Sequence, residues 1–122
     1  MTIIGIDVGG TTIKGAAVTD KGKMFDTFTV SVSKYEKGED VLSRLAEAVK
    51  EYIKNTKKIG KVVGIGMGIP GVIDSKNGLV CASANLPLWV NLEVRKIMEE
   101  LTGLPVRITN DANASALGEL VI

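Results

Sequence analysis

Histidine is absent from this chain, cysteine occurs once, and neither sign of charge is in excess. Each absence closes off chemistry. Without histidine these residues cannot build a Ser-His-Asp relay, a Cys-His nucleophile pair or a histidine-ligated metal. Cys81 alone forms neither an internal disulfide nor a thiolate zinc cage, and the expected compartment is a reducing cytoplasm. Fifteen Lys and Arg stand against fourteen Asp and Glu, a net charge of +1. No one-signed field therefore argues for nucleic acid or an anionic membrane as partner. No basic export segment precedes Asp7, and no run approaches the roughly 20 apolar residues that span a bilayer. Low-complexity stretches and internal repeats are missing as well.

What is present is ordinary globular composition: 122 residues, 45% hydrophobic and 24% charged. That is one domain, with enough chain to bury a core. Chemistry is left to carboxylates, hydroxyls, lysine and backbone amides, a set suited to handling phosphate.

Hydrophobic patterning predicts the element order. Residues 3–8 form a short apolar run that fits a buried strand, 12–18 a second strand and 24–32 a third. Tight turns at Gly9-Gly10 and Asp20–Lys23 join them into an antiparallel meander. From Glu39 to Thr56 the period changes: Val41, Leu42, Leu45, Ala46, Val49, Tyr52 and Ile53 fall on one face of an amphipathic helix. Residues 61–69 read as another buried strand, and Val72-Ile73 and Leu79-Val80 flank a small hairpin. A second helix is predicted over 92–101, capped by Asn91 and stopped by Gly103 and Pro105. A short strand at 105–109 follows, then a helix opening at Asp111 that reaches Ile122 without a closing signal. The chain is expected to break off within that element. The predicted architecture is α/β: a mixed five-stranded sheet, an antiparallel meander followed by parallel strands, with helices on both faces.

The strongest local signal is Asp7-Val8-Gly9-Gly10-Thr11-Thr12-Ile13-Lys14. Two glycines let the backbone approach a bulky anion and present successive N–H groups to it. Thr11 and Thr12 add hydroxyls and Lys14 a point charge. Asp7, ending a buried strand, is placed to hold Mg²⁺ through water. A Gly-Gly hairpin with strand-favouring threonines explains the same letters, and the local pattern leaves both open. Gly66-x-Gly68-x-x-Gly71 matches a dinucleotide fingerprint, but Pro70-Gly71 leads into Val72-Ile73 where that fold needs a helix. Counting on about 20 positions from Gly71 reaches Asn91 and no acid, and Glu93 falls inside the predicted second helix, so the dinucleotide reading is set aside.

The Asp-x-Gly-Gly-Thr turn opening a three-stranded meander resembles the first phosphate loop of the actin/hexokinase/Hsp70 ATPase fold, a ribonuclease H-like lobe. More narrowly, Ile4 to Lys14 is similar to the start of the ROK sugar kinases. Gly66-Met67-Gly68-Ile69-Pro70-Gly71, Asn85-Leu86-Pro87-Leu88-Trp89 and Asn110-Asp111-Ala112-Asn113-Ala114 agree with that family in order and kind. The resemblance covers essentially the whole chain. It implies ATP-dependent phosphorylation of a hexose, glucose first, with Gly9, Gly10, Thr11, Thr12 and Lys14 on the ATP phosphates and Asp7 on Mg²⁺. It places Gly71, Val72, Asn85 and Asn110 against the sugar, and makes Asp111 the catalytic base as well as a sugar contact. Each has a plainer reading: Gly71 as a tight turn, Asn110 and Asp111 as helix caps, Trp89 as core filling rather than a wall of the site.

The chain also departs from the family. The Glu-x-x-His sugar pair and the cysteine-rich zinc loop have no counterpart in it, and the second phosphate loop and adenosine site belong to a second lobe. The resemblance therefore implies that residues 1–122 are an N-terminal lobe without zinc, silent alone, with a C-terminal lobe or a second copy of itself as partner. Two other classes remain: the sugar-sensing lobe of a ROK transcriptional repressor, or a self-associating actin-like binding module. A strand opening at Ile3 leaves no space in this chain for a helix-turn-helix ahead of it, and the intact Asp7, Gly-Gly-Thr turn and Asp111 favour the kinase.

Overall fold

The computed structural model describes residues 1–110. Three strands open the chain: β1 (Thr2–Val8), β2 (Thr12–Thr19) and β3 (Met24–Ser31). Helix α1 (Gly38–Asn55) and a 3₁₀ turn at Lys57–Ile59 lead into β4 (Val62–Gly68). The hairpin strands β5 (Val72–Asp74) and β6 (Leu79–Ala82), helix α2 (Val94–Thr102) and strand β7 (Val106–Thr109) complete it. The main sheet runs β3-β2-β1-β4-β7, antiparallel on the β2 and β3 side and parallel among β1, β4 and β7. This is the mixed five-stranded sheet the patterning predicts. The hairpin forms a separate two-stranded sheet.

Period-two alternation sorts β1 into two faces. Ile4, Ile6 and Val8 point into a core shared with Ile13, Ala17, Met67 and Ile108. Helix α1 closes that core with Val41, Leu42, Leu45, Ala46 and Val49, the i, i+3, i+4 stripe read from the sequence. Helix α2 packs beside α1 through Val94 and Met98. Both described helices thus lie on one face of the sheet. The third expected helix, from Asp111 onward, lies outside the described residues. On the second face Ile3, Gly5 and Asp7 stand in register with Gly64, Gly66 and Gly68, so β4 contributes no side chains at these three positions. Among the described residues no helix is long and apolar enough to cross a membrane.

Tyr52 ties α1 to the meander. The β2–β3 ladder slips between Ala16 and Val18. The Tyr52 hydroxyl fills that irregularity, accepting from the Ala17 N–H at 3.1 Å and donating to the Asp26 carbonyl at 2.7 Å. Its ring also packs on Phe28, with centroids 4.8 Å apart.

Asn91 does not cap α2. Leu92 exchanges two 2.9 Å backbone hydrogen bonds with Val80, which hold it extended against the hairpin. The helix therefore starts only at Val94, with Glu93 before it and no side-chain cap, and Asn91 takes a left-handed φ of 49°.

Candidate functional site

Because β1, β4 and β7 are parallel, their carboxyl ends fall together: Asp7 pairs with Gly68, and Gly68 with Thr109. In open α/β sheets this is where ligands bind, since the loops leaving parallel strands converge there. Three of the singled-out segments leave from this end: the Gly9–Thr11 turn, the Ile69–Gly71 turn and Asn110. The Ile69 N–H donates to the Thr109 carbonyl at 2.9 Å, which carries the β4–β7 pairing one step past the strands and sets Asn110 beside the Pro70-Gly71 turn.

The first turn is closed from within. The Gly9 N–H donates to the Thr12 carbonyl at 3.0 Å, and a Cβ on Gly9 would lie 2.8 Å from that oxygen. Glycine is required there by close approach of the backbone. The sequence reading had Gly9 offering its N–H to an anion; the turn uses that donor itself. The Gly10 and Thr11 N–H groups have no acceptor among the described residues, and the Thr11 and Thr12 side chains are exposed. An anion at this turn would therefore meet two N–H groups and two hydroxyls.

Asp7 and Lys14 are cross-strand partners on the face away from the helices. Burial pushes the Asp7 carboxyl above its ordinary range, and the Lys14 ammonium pulls it part of the way back. The two line a 170 Å³ hollow with Gly5, Ala16 and Val18. Among the described residues no group of three or more His, Cys, Asp or Glu gathers for a metal. A lone carboxylate fits Mg²⁺, which keeps several waters and takes its remaining ligands from substrate phosphates. It does not fit a metal needing a full protein cage.

Gly71 has a φ of 132°, and a Cβ there would collide with the Ala82 carbonyl oxygen and stand 3.0 Å from Ser83 Cα. The tight-turn reading of this glycine is thus sufficient by itself. Val72, the next residue, is 64% exposed. Asn85 is exposed and abuts the first turn: a Cβ on Gly10 would meet Asn85 Cβ at 3.5 Å. The structure therefore brings Gly9, Gly10, Thr11, Thr12, Gly71, Val72, Asn85 and Asn110 to one end of the sheet, with Asp7 and Lys14 at its border. Asp111 lies outside the described residues. Trp89 is fully buried, which settles it as core. Ser83 stands between the Gly71 turn and Asn85 with its hydroxyl buried.

The family model described as the ROK family matches residues 3–122. A glucokinase of Halalkalibacterium halodurans is 36% identical over 96% of this chain and 36% of its own length. A xylose repressor of Caldicellulosiruptor bescii is 34% identical over 97% of this chain and 30% of its own. Among solved structures, a ROK family glucokinase from Streptomyces griseus in complex with glucose and AMPPNP superposes with a TM-score of 0.76. It is 29% identical, and the match covers 95% of this chain and 35% of that one. The chain spans about a third of the length of these relatives.

Proposed function

The chain belongs to the ROK family, and from that premise we propose that it is the N-terminal lobe of a hexose kinase that uses Mg-ATP, with glucose as the first candidate substrate. The observation that carries this reading is the gathering of two glycine turns, Asn85 and Asn110 at the carboxyl ends of three parallel strands. Gly10 and Thr11 N–H groups, the Thr11 and Thr12 hydroxyls and the Lys14 ammonium hold phosphate oxygens, with Gly9 shaping the turn. Asp7 holds the water shell of Mg²⁺, which when bound neutralises charge building on the transferring phosphoryl group. Gly71, Val72, Asn85 and Asn110 border the sugar. Asp111 orients the primary hydroxyl of the hexose and takes its proton as the oxygen bonds to the γ-phosphorus; the bond to the ADP oxygen breaks and ADP leaves. An ionised carboxylate is a weak base, yet phosphoryl transfer asks mainly for positioning and late proton acceptance.

A kinase of this kind works by closing two lobes on its substrates. Residues 1–122 alone are then silent, and their partner is a C-terminal lobe, or a second copy of this lobe. A cytoplasmic location is consistent with a single cysteine that is free. The test is hexose-dependent ADP formation by the complete protein that carries this chain, across a panel of hexoses. Turnover with glucose is expected; no ADP with any hexose would refute the reading.

The likeness to a xylose repressor favours a second reading, in which the same fold senses a sugar and regulates DNA binding. Sugar-responsive DNA binding without ADP formation would establish it. Static light scattering on the 122-residue chain addresses self-association, and a monomer at high concentration would exclude the binding-module alternative.

A further inference from the structure

The net charge of +1 hides an uneven distribution. Lysines from two segments far apart in sequence meet at the end of the sheet opposite the glycine turns. There Thr2 opens β1, pairing with Thr19 on one side and donating its N–H to the Lys61 carbonyl at 3.2 Å on the other. The Thr19 N–H donates to the Lys23 carbonyl at 2.9 Å, and the Tyr52 hydroxyl holds the Asp26 carbonyl, so the start of β3 lies against the end of α1. Between them is a cavity of about 570 Å³, with Lys23, Met24 and Phe25 on one wall and Thr56, Lys57 and Lys58 on the other. That volume falls in the range of small-molecule sites. Asp26 is the one acid among its described lining residues, and no salt bridge joins it to these lysines. The Lys23 ammonium sits 5.0 Å from the centroid of the Phe25 ring, which keeps it at the cavity wall. Buried Ile59 anchors the 3₁₀ turn, and Lys57 and Lys58 stand out from it, exposed. Offsetting the α1 dipole does not account for all three ammonium groups. Lys54 already stands in the last turn of α1, and Lys23 comes from the turn between β2 and β3.

We propose that this cavity binds a small phosphate ester, with its phosphoryl group between Lys23, Lys57 and Lys58 and an apolar body over Met24 and Phe25. It stands roughly 20 Å, the length of β1, from the Gly9–Thr11 turn, and the inference does not rest on the kinase reading. Ammonium groups are compact point charges, and three of them match a dianionic phosphate better than the single charge of a carboxylate. Like charges set close together repel, and a dianion between them relieves that repulsion. The Thr56 hydroxyl can donate to a phosphoryl oxygen as well. Met24 is 54% exposed, and an apolar body laid on it would remove that surface from water.

The test is an amide NMR titration of the 122-residue chain with phenyl phosphate, inorganic phosphate and benzoate. It is run at physiological ionic strength, where non-specific attraction is screened. The double variant Lys57→Gln/Lys58→Gln is compared with Lys34→Gln/Lys50→Gln, which removes two exposed lysines elsewhere. Phenyl phosphate should shift the amides of Met24, Phe25, Thr56, Lys57 and Lys58 saturably and bind more tightly than either other probe. The first variant should weaken that binding by roughly fivefold or more, the loss of two exposed ammonium contacts, and the second should leave it unchanged. No saturable shift there, or shifts confined to Gly10 and Thr11, would overturn the proposal and leave the kinase reading standing. Equal losses in the two variants would reduce the effect to net charge and overturn it. Benzoate binding as tightly as phenyl phosphate would remove the preference for phosphate, and the proposal with it.

Discussion

Gly71→Ala puts the turn that follows β4 under a quantitative test. Two effects add. An L-residue at a φ of 132° is strained, which costs about 1–2 kcal/mol. A Cβ there also collides with the Ala82 carbonyl oxygen and crowds Ser83 Cα at 3.0 Å. Both are backbone atoms and cannot rotate aside, so the hairpin must shift, an overpacking cost of about 1–3 kcal/mol. The sum is about 3 kcal/mol, a drop in melting temperature of roughly 12 °C for a domain of this size. Gly103→Ala is the control. Gly103 ends α2 in a left-handed conformation, φ 73° and ψ 12°, with nothing within 4 Å of its Cβ position. Only the strain applies there, about 1 kcal/mol or roughly 4 °C. Circular dichroism during thermal and urea unfolding measures both, and the urea slope should be unchanged. Equal losses in the two variants would refute the collision and the close packing of Gly71 on β6.

Tyr52→Phe leaves the Ala17 N–H and the Asp26 carbonyl without their partner, and should cost about 2 kcal/mol; a melting temperature within roughly 2 °C of the parent would contradict that bridge. Asp7 has a folded-state pKa raised by burial, so its ionised form is disfavoured on folding. Its destabilising effect is absent below the unfolded pKa, grows as pH rises through the folded value and is complete above it. Asp7→Asn should therefore raise the melting temperature at neutral pH, with the gain vanishing in acid below the ordinary aspartate value of 3.8; a gain that persists there would remove desolvation as the cause. Lys14→Met should move the Asp7 titration midpoint further up in a carboxyl-detected NMR titration, because the ammonium opposes the rise; an unmoved midpoint would show that Lys14 does not act on it. In the complete protein, Asp111→Asn should reduce kcat by roughly a hundredfold or more while sugar and ATP affinities hold, and near-normal turnover would exclude it as the base.

Much of this fold is legible because its signals are local. The meander follows from apolar runs broken by Gly-Gly and Asp-Lys-Gly, and α1 from a stripe that ends in Tyr52. The gathering of the turns follows from parallel crossovers, which place the exits of alternate strands at one end. What escaped depends on contacts between elements distant in sequence. Asn91 has the side chain of a helix cap, but the Leu92–Val80 pairing holds the next residue extended. Tyr52 reads as one more apolar face residue, and only the ladder slip at Ala16–Val18 gives its hydroxyl work.

The pair Asp7 and Lys14 bears most directly on the choice between kinase and sugar sensor. A sensor needs a surface for the sugar; it has no requirement for a carboxylate and an ammonium beside an open phosphate-sized turn. If the pair were structural, the two groups in cross-strand register would be expected to close on each other. Among the described residues no salt bridge joins them, although the Lys14 charge is felt at Asp7. Opposite charges held near each other without contact suit a ligand that carries both signs, the cation toward Asp7 and phosphate oxygens toward Lys14. The burial that pushes the Asp7 carboxyl up also keeps it from being fully satisfied by water, and a hydrated cation would reverse that shift. The buried Asp7 charge that destabilises the unliganded chain would then add affinity for a magnesium-phosphate ligand. That trade favours the kinase.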